Sequence, residues 1–448
     1  MKQKIIIVGG VAGGATVAAQ IRRQDKLSDI IIFDRGDYIA FSNCGLPYYI
    51  GEIVKNRDDL LFPTGEFEEK YGVEIRVNSE VTAINREKKH IQYQNVSGIH
   101  EETYDKLILS PGADAVAPDF AGIDKQCTFT LHTIPDMDKM NAFIKEKQPK
   151  TAAIVGAGFI GMEVVENLHA LGIKCTIIDR SKHVMKIVDE DMASVIQDHL
   201  TEKRVDLILE EGLDHFNNEG KTLVLSSGAH IDADMTILAL GIKPNVKLAS
   251  EAALAIGKTG AITTNRYMQT TDPDIYALGD AVETNDFATY SPRHVALAWP
   301  AHRQAFIISS HLNGENIAYR GTLGTAILKV FDLTVGAAGH TSRSLTDMEL
   351  PYMKTTLQAH SHANYYPGAE NLWLKILFNG QDGTIYGAQA VGYDGADKRL
   401  AVLATAIKAK LTVTDLPDLE LGYAPPYGNS KDPINVLGYK ASAMFDRK

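Results

Sequence analysis

The sequence predicts an α/β fold with two parallel-sheet units and a C-terminal α+β unit. A continuous apolar run over residues 4–8 is followed by a glycine-rich turn, a helix and a second apolar run that ends at Asp34. The same order recurs from residue 152 to Asp179, so the chain contains a duplicated βαβ unit. Strands that are apolar throughout are typical of parallel sheets with helices on both faces. From about residue 321 the strands are shorter and alternate in polarity, which predicts the separate α+β unit.

The elements follow one another in a consistent order. In the first unit we expect a strand over 4–8, a helix over 15–23 and a strand over 30–34. Two further buried strands, 106–109 and 235–240, each break at proline and glycine, where the chain crosses between domains. The predicted domains are therefore 1–113 with 246–320, 114–245, and 321–448.

Composition limits the function classes. A chain of 448 residues predicts about three domains. The formal net charge of −11 argues against a protein that binds nucleic acid through its phosphates. No apolar run is long enough to span a bilayer, so no membrane association is expected. Glycines interrupt the apolar N-terminal run, which disfavours a signal peptide.

The cysteines indicate compartment and chemistry. Three cysteines are too few for a disulfide framework, and no Cys/His spacing suggests a metal site. A reducing cytoplasm is expected. Cys127 and Cys175 fall in a connecting segment and a core strand, where we expect inert thiols. Cys44 is different, because it stands in a polar turn shortly after the first βαβ unit.

The two glycine turns predict two Rossmann-like dinucleotide sites. Glycines in such turns allow a tight bend and a close approach of the backbone to a pyrophosphate at a helix N-terminus. The second turn has the full GxGxxG spacing, and the acid that follows it, Asp179, is suited to bind a ribose. The first lacks the middle glycine. The predicted cofactor residues are Gly9, Gly13, Gly14 and Asp34 in the first turn, and Gly156, Gly158, Gly161 and Asp179 in the second.

A third segment supports a flavin at the first turn. Residues 270–280 (TTDPDIYALGD) resemble the second flavin motif of pyridine nucleotide–disulfide oxidoreductases, in which the final acid holds the ribityl chain. This adds Gly279 and Asp280 to the FAD site and leaves the second turn for NADH or NADPH. Asp179 favours NADH, because a carboxylate repels a 2′-phosphate, whereas Arg180 and Lys182 beside it offer that phosphate a partner.

Cys44 is predicted to be the redox centre. It has no second cysteine five residues on, where Tyr49 stands, so it must cycle through a mixed disulfide or a sulfenic acid. A helix is expected to begin near Cys44, and its dipole would favour the thiolate.

The whole chain resembles the coenzyme A disulfide reductases, in the single-cysteine branch of this family that also holds NADH oxidase and peroxidase. The resemblance is carried by the glycine-rich start, by Asn43-Cys44 and by two tail strings, HANYYPG (362–368) and YAPPY (423–427). It implies a homodimer in which Tyr365 and Tyr423 reach the other subunit's cysteine and protonate a departing thiolate. Electrons would then pass from NAD(P)H through FAD to coenzyme A disulfide, by way of a mixed disulfide on Cys44.

Coenzyme A carries several phosphates, so this acidic protein needs local cations. Arg22, Arg23 and Lys26 at the end of the first helix are candidates, together with Lys431. The resemblance also implicates Thr16, Gln20 and Asn43 in substrate binding.

Two departures from the family pattern and four alternative functions remain at this stage. The oxidase and peroxidase relatives have a histidine where this chain has Ala12, which disfavours oxygen chemistry, and Ala40 replaces a serine that contacts substrate in the reductases. The alternatives are a polysulfide or persulfide reductase, an NADH oxidase or peroxidase, and a ferredoxin-reductase-like electron-transfer flavoprotein that would not need Cys44. A flavin-bound signalling scaffold is a weaker alternative.

Overall fold

The computed structural model describes residues 2–445. The strands are, in chain order, β1 Lys4–Val8, β2 Asp29–Phe33, β3 Glu74–Arg76, β4 Glu80–Asn85, β5 His90–Asn95, β6 Gly98–Thr103, β7 Lys106–Leu109, β8 Ala113–Ala115, β9 Thr128–Phe129, β10 Thr151–Val155, β11 Lys174–Asp179, β12 Asp206–Leu209, β13 Leu213–Asn217, β14 Thr222–Leu225, β15 His230–Asp232, β16 Met235–Leu238, β17 Ile242–Pro244, β18 Ile262–Thr263, β19 Ile275–Ala277, β20 Val282–Asn285, β21 Pro292–His294, β22 Ala326–Val330, β23 Leu333–Gly339, β24 Met353–His360, β25 Asn371–Phe378 and β26 Ile385–Gly392. The helices are α1 Ala12–Gln24, α2 Leu46–Ile50, α3 Thr64–Tyr71, α4 Ile134–Lys147, α5 Phe159–Ala170, α6 Glu190–Glu202, α7 Lys247–Glu251, α8 Ala298–Leu312, α9 Ser342–Asp347, α10 Ala396–Lys408 and α11 Pro433–Phe445.

The first parallel sheet has the order β19-β7-β1-β2-β3. β1 pairs in parallel with β2 and with β7, and its isoleucines are fully buried. β19 comes from a distant part of the chain and pairs with β7, so the segment around residue 275 completes this sheet. The carboxyl ends of β1, β2 and β19 therefore meet at one edge, where ligands bind in such sheets.

The second parallel sheet repeats the plan, with the order β12-β11-β10-β16-β9. β10 pairs in parallel with β11 and β16. The chain crosses between the two sheets through β8 and β17, which pair antiparallel. Both duplicated units thus have the predicted Rossmann-like architecture, whereas the exact domain boundaries stay a prediction.

The C-terminal unit is a five-stranded antiparallel sheet with the order β22-β23-β26-β25-β24. Helices α10 and α11 contact this sheet, and their apolar residues share its core. The apolar side chains of β22 and β23 instead join the core of the second sheet unit, so the two units share one packed boundary.

A buried ionic cluster connects the second sheet unit to the C-terminal unit across this boundary. The Lys375 ammonium on β25 is 1% exposed and lies 2.8 Å from the Asp189 carboxylate and 2.6 Å from that of Asp191. Asp189 also accepts hydrogen bonds from the amide and the hydroxyl of Ser342, and these contacts hold its pKa below the usual range. A buried charge with this many partners makes the relative placement of the two units strongly specified.

Candidate functional site

The first glycine turn lies between β1 and α1 and leaves no room for side chains. Gly9 has φ +93°, and a Cβ there would lie 2.1 Å from the Ser110 carbonyl oxygen. A Cβ on Gly14 would lie 1.8 Å from the Gly9 carbonyl oxygen, and one on Gly13 would lie 2.7 Å from the Ser110 hydroxyl. Close backbone approach at the start of α1 is the geometry that binds a pyrophosphate.

Two acids belong to the same edge of the sheet. Asp34 follows β2, and its carboxylate accepts hydrogen bonds from the amides of Gly10 (2.7 Å) and Gly36 (2.8 Å). Asp280 lies in a short 3₁₀ turn after β19, beside Gly279, whose amide is held by Gln304 at 2.8 Å. Burial raises the pKa of both carboxyl groups.

These residues fit FAD. The Asp280 carboxylate makes no side-chain hydrogen bond within residues 2–445, although burial penalises its charge. A half-buried acid that makes no side-chain hydrogen bond, beside a phosphate-binding turn, is suited to the hydroxyls of a bound ligand. The glycine turn, Asp34 and Asp280 therefore lie together, as a flavin dinucleotide requires.

The second turn repeats the geometry between β10 and α5. Gly156 has φ +116°, and a Cβ there would lie 2.2 Å from the Ala239 carbonyl oxygen, while a Cβ on Gly161 would lie 2.0 Å from that of Gly156. Gly158 instead faces open space, with nothing within 4 Å of a Cβ. Asp179 accepts hydrogen bonds from the amides of Ala157 (2.7 Å) and Ser181 (2.8 Å), which lower its pKa. The turn suits a nicotinamide dinucleotide, with a charged carboxylate at the ribose position.

Cys44 occupies a 3₁₀ turn, Asn43–Gly45, directly before the short helix α2. Cys44 is exposed as a residue, although surrounding protein partly encloses its sulfur, whereas Cys127 and Cys175 are buried, as expected for these two. The expectation that a helix dipole would favour the thiolate is opposed by the surroundings. Partial burial and the carboxylates of Glu163 and Asp280 raise the pKa of Cys44. The helix has only five residues, so its dipole is weak against two nearby acids.

Glu163 is a site residue that the sequence reasoning missed. It lies on α5, two residues after Gly161, and its carboxylate accepts a hydrogen bond from the Tyr48 hydroxyl at 3.3 Å. Burial raises the pKa of Glu163, and the proximity of Glu163 and burial raise that of Tyr48 to about 12. The sequence offered only a weak signal, because Glu163 is one of two acids on α5, together with Glu166. Glu163 brings the second glycine turn into electrostatic contact with the Cys44 thiol.

The candidate substrate residues of α1 share one face. Thr16, Gln20 and Arg23 are spaced at i, i+4 and i+7, and all three are at least partly exposed. The Thr16 hydroxyl is 2.8 Å from Nδ1 of His302 on α8. Asn43, beside the thiol, donates a hydrogen bond to the His132 carbonyl oxygen at 3.3 Å.

Arg22 does not belong to this face. Its guanidinium donates to four backbone carbonyl oxygens, at distances of 2.8 to 3.1 Å. These bonds join α1 to residues 25–28, which follow it, and to the C-terminal end of α3. Four of its five N–H donors already hold the fold, which disfavours the prediction that Arg22 is a phosphate-binding cation. The next residue, Arg23, is exposed and makes no such bonds within the described residues, and Lys26 is also exposed.

The two tail tyrosines meet on the C-terminal unit. The Tyr365 and Tyr423 hydroxyls are 3.1 Å apart, and the side chains are exposed. Their hydrogen bond raises the pKa of Tyr365. No hydrogen bond in the described part of the chain joins this pair to the Cys44 turn of the same subunit. Lys431 is exposed nearby, with its ammonium 5.7 Å from the Tyr439 ring centre.

The two departures are visible in the structure. Ala12 is the exposed first residue of α1, at the mouth of the first turn. Ala40 has φ +48°, a left-handed conformation that is strained for a residue with a Cβ. Across residues 2–445 no helix is long and apolar enough to cross a bilayer, and no group of acids, histidines and cysteines is arranged for a metal ion.

Comparison with known proteins agrees with this geometry. The profile of the pyridine nucleotide-disulphide oxidoreductase family matches residues 3–305, and that of the family's dimerisation domain matches residues 325–432. A coenzyme A disulfide reductase from Staphylococcus haemolyticus is 41% identical over 443 residues, which cover 98% of this chain and 99% of that protein.

Solved structures give the same result. The reduced Bacillus anthracis CoADR-RHD superposes with a TM-score of 0.98 at 46% identity, over 100% of this chain and 81% of that one. An NAD-dependent persulfide reductase from A. fulgidus superposes with a TM-score of 0.96 at 32% identity, over 99% of this chain and 84% of that one.

Proposed function

This chain belongs to the pyridine nucleotide-disulphide oxidoreductase family, and on that basis we propose that it is an FAD-dependent coenzyme A disulfide reductase. NADH or NADPH supplies two electrons and one proton, solvent supplies a second proton, and coenzyme A disulfide accepts them to give two thiols. The dimerisation domain at residues 325–432 supports a homodimer. We also propose a cytoplasmic location, because the three cysteines are all unpaired.

The observation that carries the proposal is the exposed Cys44 thiol between the two glycine turns. The Asp280 carboxylate of the first site and the Glu163 carboxylate of the second both act on its pKa. A sulfur within electrostatic range of carboxylates from both sites is placed to receive electrons that enter at the second and pass through the first. When bound, FAD supplies the two-electron relay between the nicotinamide and sulfur.

The sulfur chemistry balances with Cys44 alone. The Cys44 thiolate attacks one sulfur of coenzyme A disulfide, the S–S bond breaks, and one coenzyme A thiolate leaves as a mixed disulfide forms. Two electrons then cleave the mixed disulfide, which returns the Cys44 thiolate and a second coenzyme A thiolate. Each departing thiolate takes up one proton, one from the reduced nicotinamide and one from solvent.

The tyrosine pair fits the proton transfer. Two phenols that share a hydrogen bond keep at least one hydroxyl protonated and free to donate to an anionic sulfur. We propose that Tyr365 and Tyr423 act at Cys44 of the partner subunit, since they lie on the dimerisation domain and, within the described residues, make no hydrogen bond to their own Cys44 turn.

The substrate's phosphates are assigned to the exposed residues near the thiol. Thr16, Gln20 and Arg23 offer a hydroxyl, an amide and a guanidinium on one face of α1. Asn43 adds an amide beside the sulfur, and Lys431 adds a cation near the tyrosine pair.

The test is a comparison of wild type with Cys44→Ser, with Cys127→Ala as a matched control at a buried thiol. Wild type and the control should oxidise NAD(P)H with coenzyme A disulfide, and Cys44→Ser should not, although NADH should still reduce its flavin. Non-reducing intact mass should show one coenzyme A adduct that is lost from Cys44→Ser. A Cys44→Ser enzyme with full activity toward a protein electron acceptor would instead identify an electron-transfer flavoprotein.

A second candidate is persulfide reduction with the same thiol. The close superposition on a persulfide reductase and the exposure of Cys44 favour it. Steady-state rates with coenzyme A disulfide, persulfide, oxygen and peroxide separate the candidates, and Ala12 predicts the lowest rates with oxygen and peroxide. If persulfide turns over and coenzyme A disulfide does not, this candidate replaces the first.

A further inference from the structure

Arg399 is a fully buried cation behind the tyrosine pair. It lies in the first turn of α10, and its side chain is 1% exposed. Its guanidinium Nη2 donates to the Asp432 carboxylate at 2.8 Å and to the Ser361 carbonyl oxygen at 2.9 Å. A buried arginine is retained only where its donors are all used, so these contacts indicate what it holds.

Both contacts lead to the tyrosines. Ser361 begins the segment 361–366, which carries Tyr365. Asp432 ends the segment 423–432, which carries Tyr423. Apart from the phenol pair, the described hydrogen bonds between these regions are long, at 3.4 Å for Ala363 to Pro425. The two hydrogen bonds from Arg399 Nη2 are therefore the shortest links between the two segments.

The surroundings of Arg399 support this role. A Cβ on Gly428, within the second segment, would lie 3.8 Å from Arg399 Nη2, so the segment passes directly over the guanidinium. The neighbouring Lys398 ammonium donates to the Tyr427 carbonyl oxygen of the same segment. Asp432 in turn accepts from the Ile434 amide at the start of α11, which fixes the carboxylate.

We propose that Arg399 is a positioning residue, which locks the segments 361–366 and 423–432 together so that Tyr365 and Tyr423 act as one hydrogen-bonded pair. The inference rests on the proposed function, because the pair is assigned to protonation of the departing thiolate. Arg399 does not touch substrate in this scheme. It acts through the two segments, by keeping the phenol hydroxyls at hydrogen-bond distance.

The experiment compares Arg399→Lys with Arg343→Lys, an exposed arginine of the same unit whose ion pair with Asp347 spans 3.8 Å. Lysine keeps the charge but cannot reach Asp432 and Ser361 at once. Arg399→Lys should lower kcat with coenzyme A disulfide about tenfold, the loss of one charge-assisted hydrogen bond. Flavin reduction by NADH should change by less than about twofold, since that step does not use the tyrosines. Arg343→Lys should leave both rates unchanged.

Two readouts separate positioning from a general structural effect. In a Tyr365→Phe/Tyr423→Phe background, Arg399→Lys should cause no further fall in kcat, because the pair it positions is gone. Hydrogen exchange in Arg399→Lys should rise in the two segments and not in α1. An equal fall in kcat in both backgrounds, an equal fall in flavin reduction, or unchanged exchange would each overturn the proposal.

Failure of the proposed function is distinguishable. If wild type does not turn over coenzyme A disulfide, that function is wrong, and the exchange measurement still decides the role of Arg399. Should Arg399→Lys not fold, the double variant Arg399→Met/Asp432→Asn removes both buried charges and is subjected to the same two readouts.

Discussion

Replacing Glu163 with glutamine should make the Cys44 thiol more acidic. The Glu163 carboxylate raises the pKa of Cys44, and glutamine removes the negative charge while keeping an acceptor for the Tyr48 hydroxyl. Removal of a neighbouring like charge lowers the pKa of a thiol, because the thiolate no longer faces an anion. Since burial and Asp280 remain, the pKa of Cys44 should fall without reaching the range of a strongly activated thiol.

The size of the effect on rate follows from two opposing terms. At a pH below the pKa of Cys44, each unit by which the pKa falls gives about ten times more thiolate. A less basic thiolate is a weaker nucleophile, which reduces the gain in rate to about three- to fourfold per unit. At a pH above the pKa only the second term remains, so the variant should react more slowly than wild type, by about threefold per unit. The two pH–rate profiles should therefore cross.

The assay is alkylation of reduced, uncapped holoenzyme by iodoacetamide across the pH range, followed by intact mass. Glu69→Gln, at an exposed acid on α3, is the matched control and should overlay wild type. The profiles should also converge at low pH, because Glu163, whose own pKa is raised, loses its charge there in the wild type. Superimposable curves for wild type and Glu163→Gln at every pH would show that this carboxylate does not act on the thiol.

Two further changes test other parts of the structure. Asp179→Ala should raise the ratio of kcat/KM for NADPH over NADH by about tenfold or more, because it removes a carboxylate that stays charged and repels a 2′-phosphate; an unchanged ratio in steady-state assays would contradict this. Lys375→Met should destabilise the protein by about 3–5 kcal/mol in urea unfolding, because it leaves Asp189 charged and buried, whereas Lys375→Met/Asp189→Asn should lose less. Arg343→Met, which breaks an exposed ion pair, is the control, and its free energy of unfolding should stay within about 0.5 kcal/mol of wild type. If Lys375→Met loses as little stability as this control, the buried cluster does not stabilise the boundary.

Local patterns predicted much of the fold. The strand over 4–8 is observed at those residues, and the strands expected near 326–331 and 385–391 are observed within one residue of each end. These segments were readable because apolar periodicity and glycine turns act over a few residues. The helix expected over 15–23 begins earlier, at Ala12. Its start was placed too late because glycines, which are poor helix formers, occupy its first turn.

The charges that surround Cys44 could not be predicted from local sequence patterns. Glu163 lies 119 positions after Cys44, and only the packing of the two sheet units brings its charge to the thiol. The helix dipole expected at Cys44 is a local effect, and it is opposed by this long-range one. Arg22 and Arg23 are adjacent and chemically identical in sequence, yet only the structure shows that Arg22 donates to four carbonyl oxygens.

The tyrosine pair has a consequence for assembly. If each subunit supplies its phenols to its neighbour's sulfur, a chain without Cys44 is inactive alone and a chain without both phenols is slow alone, but the two complement one another. Co-expressed, they form hybrids in which one of the two centres is built entirely from intact parts, and the full rate of that centre returns. Efficient catalysis is then a property of the assembled dimer, and dilution that separates the subunits lowers the rate even when every chain remains folded.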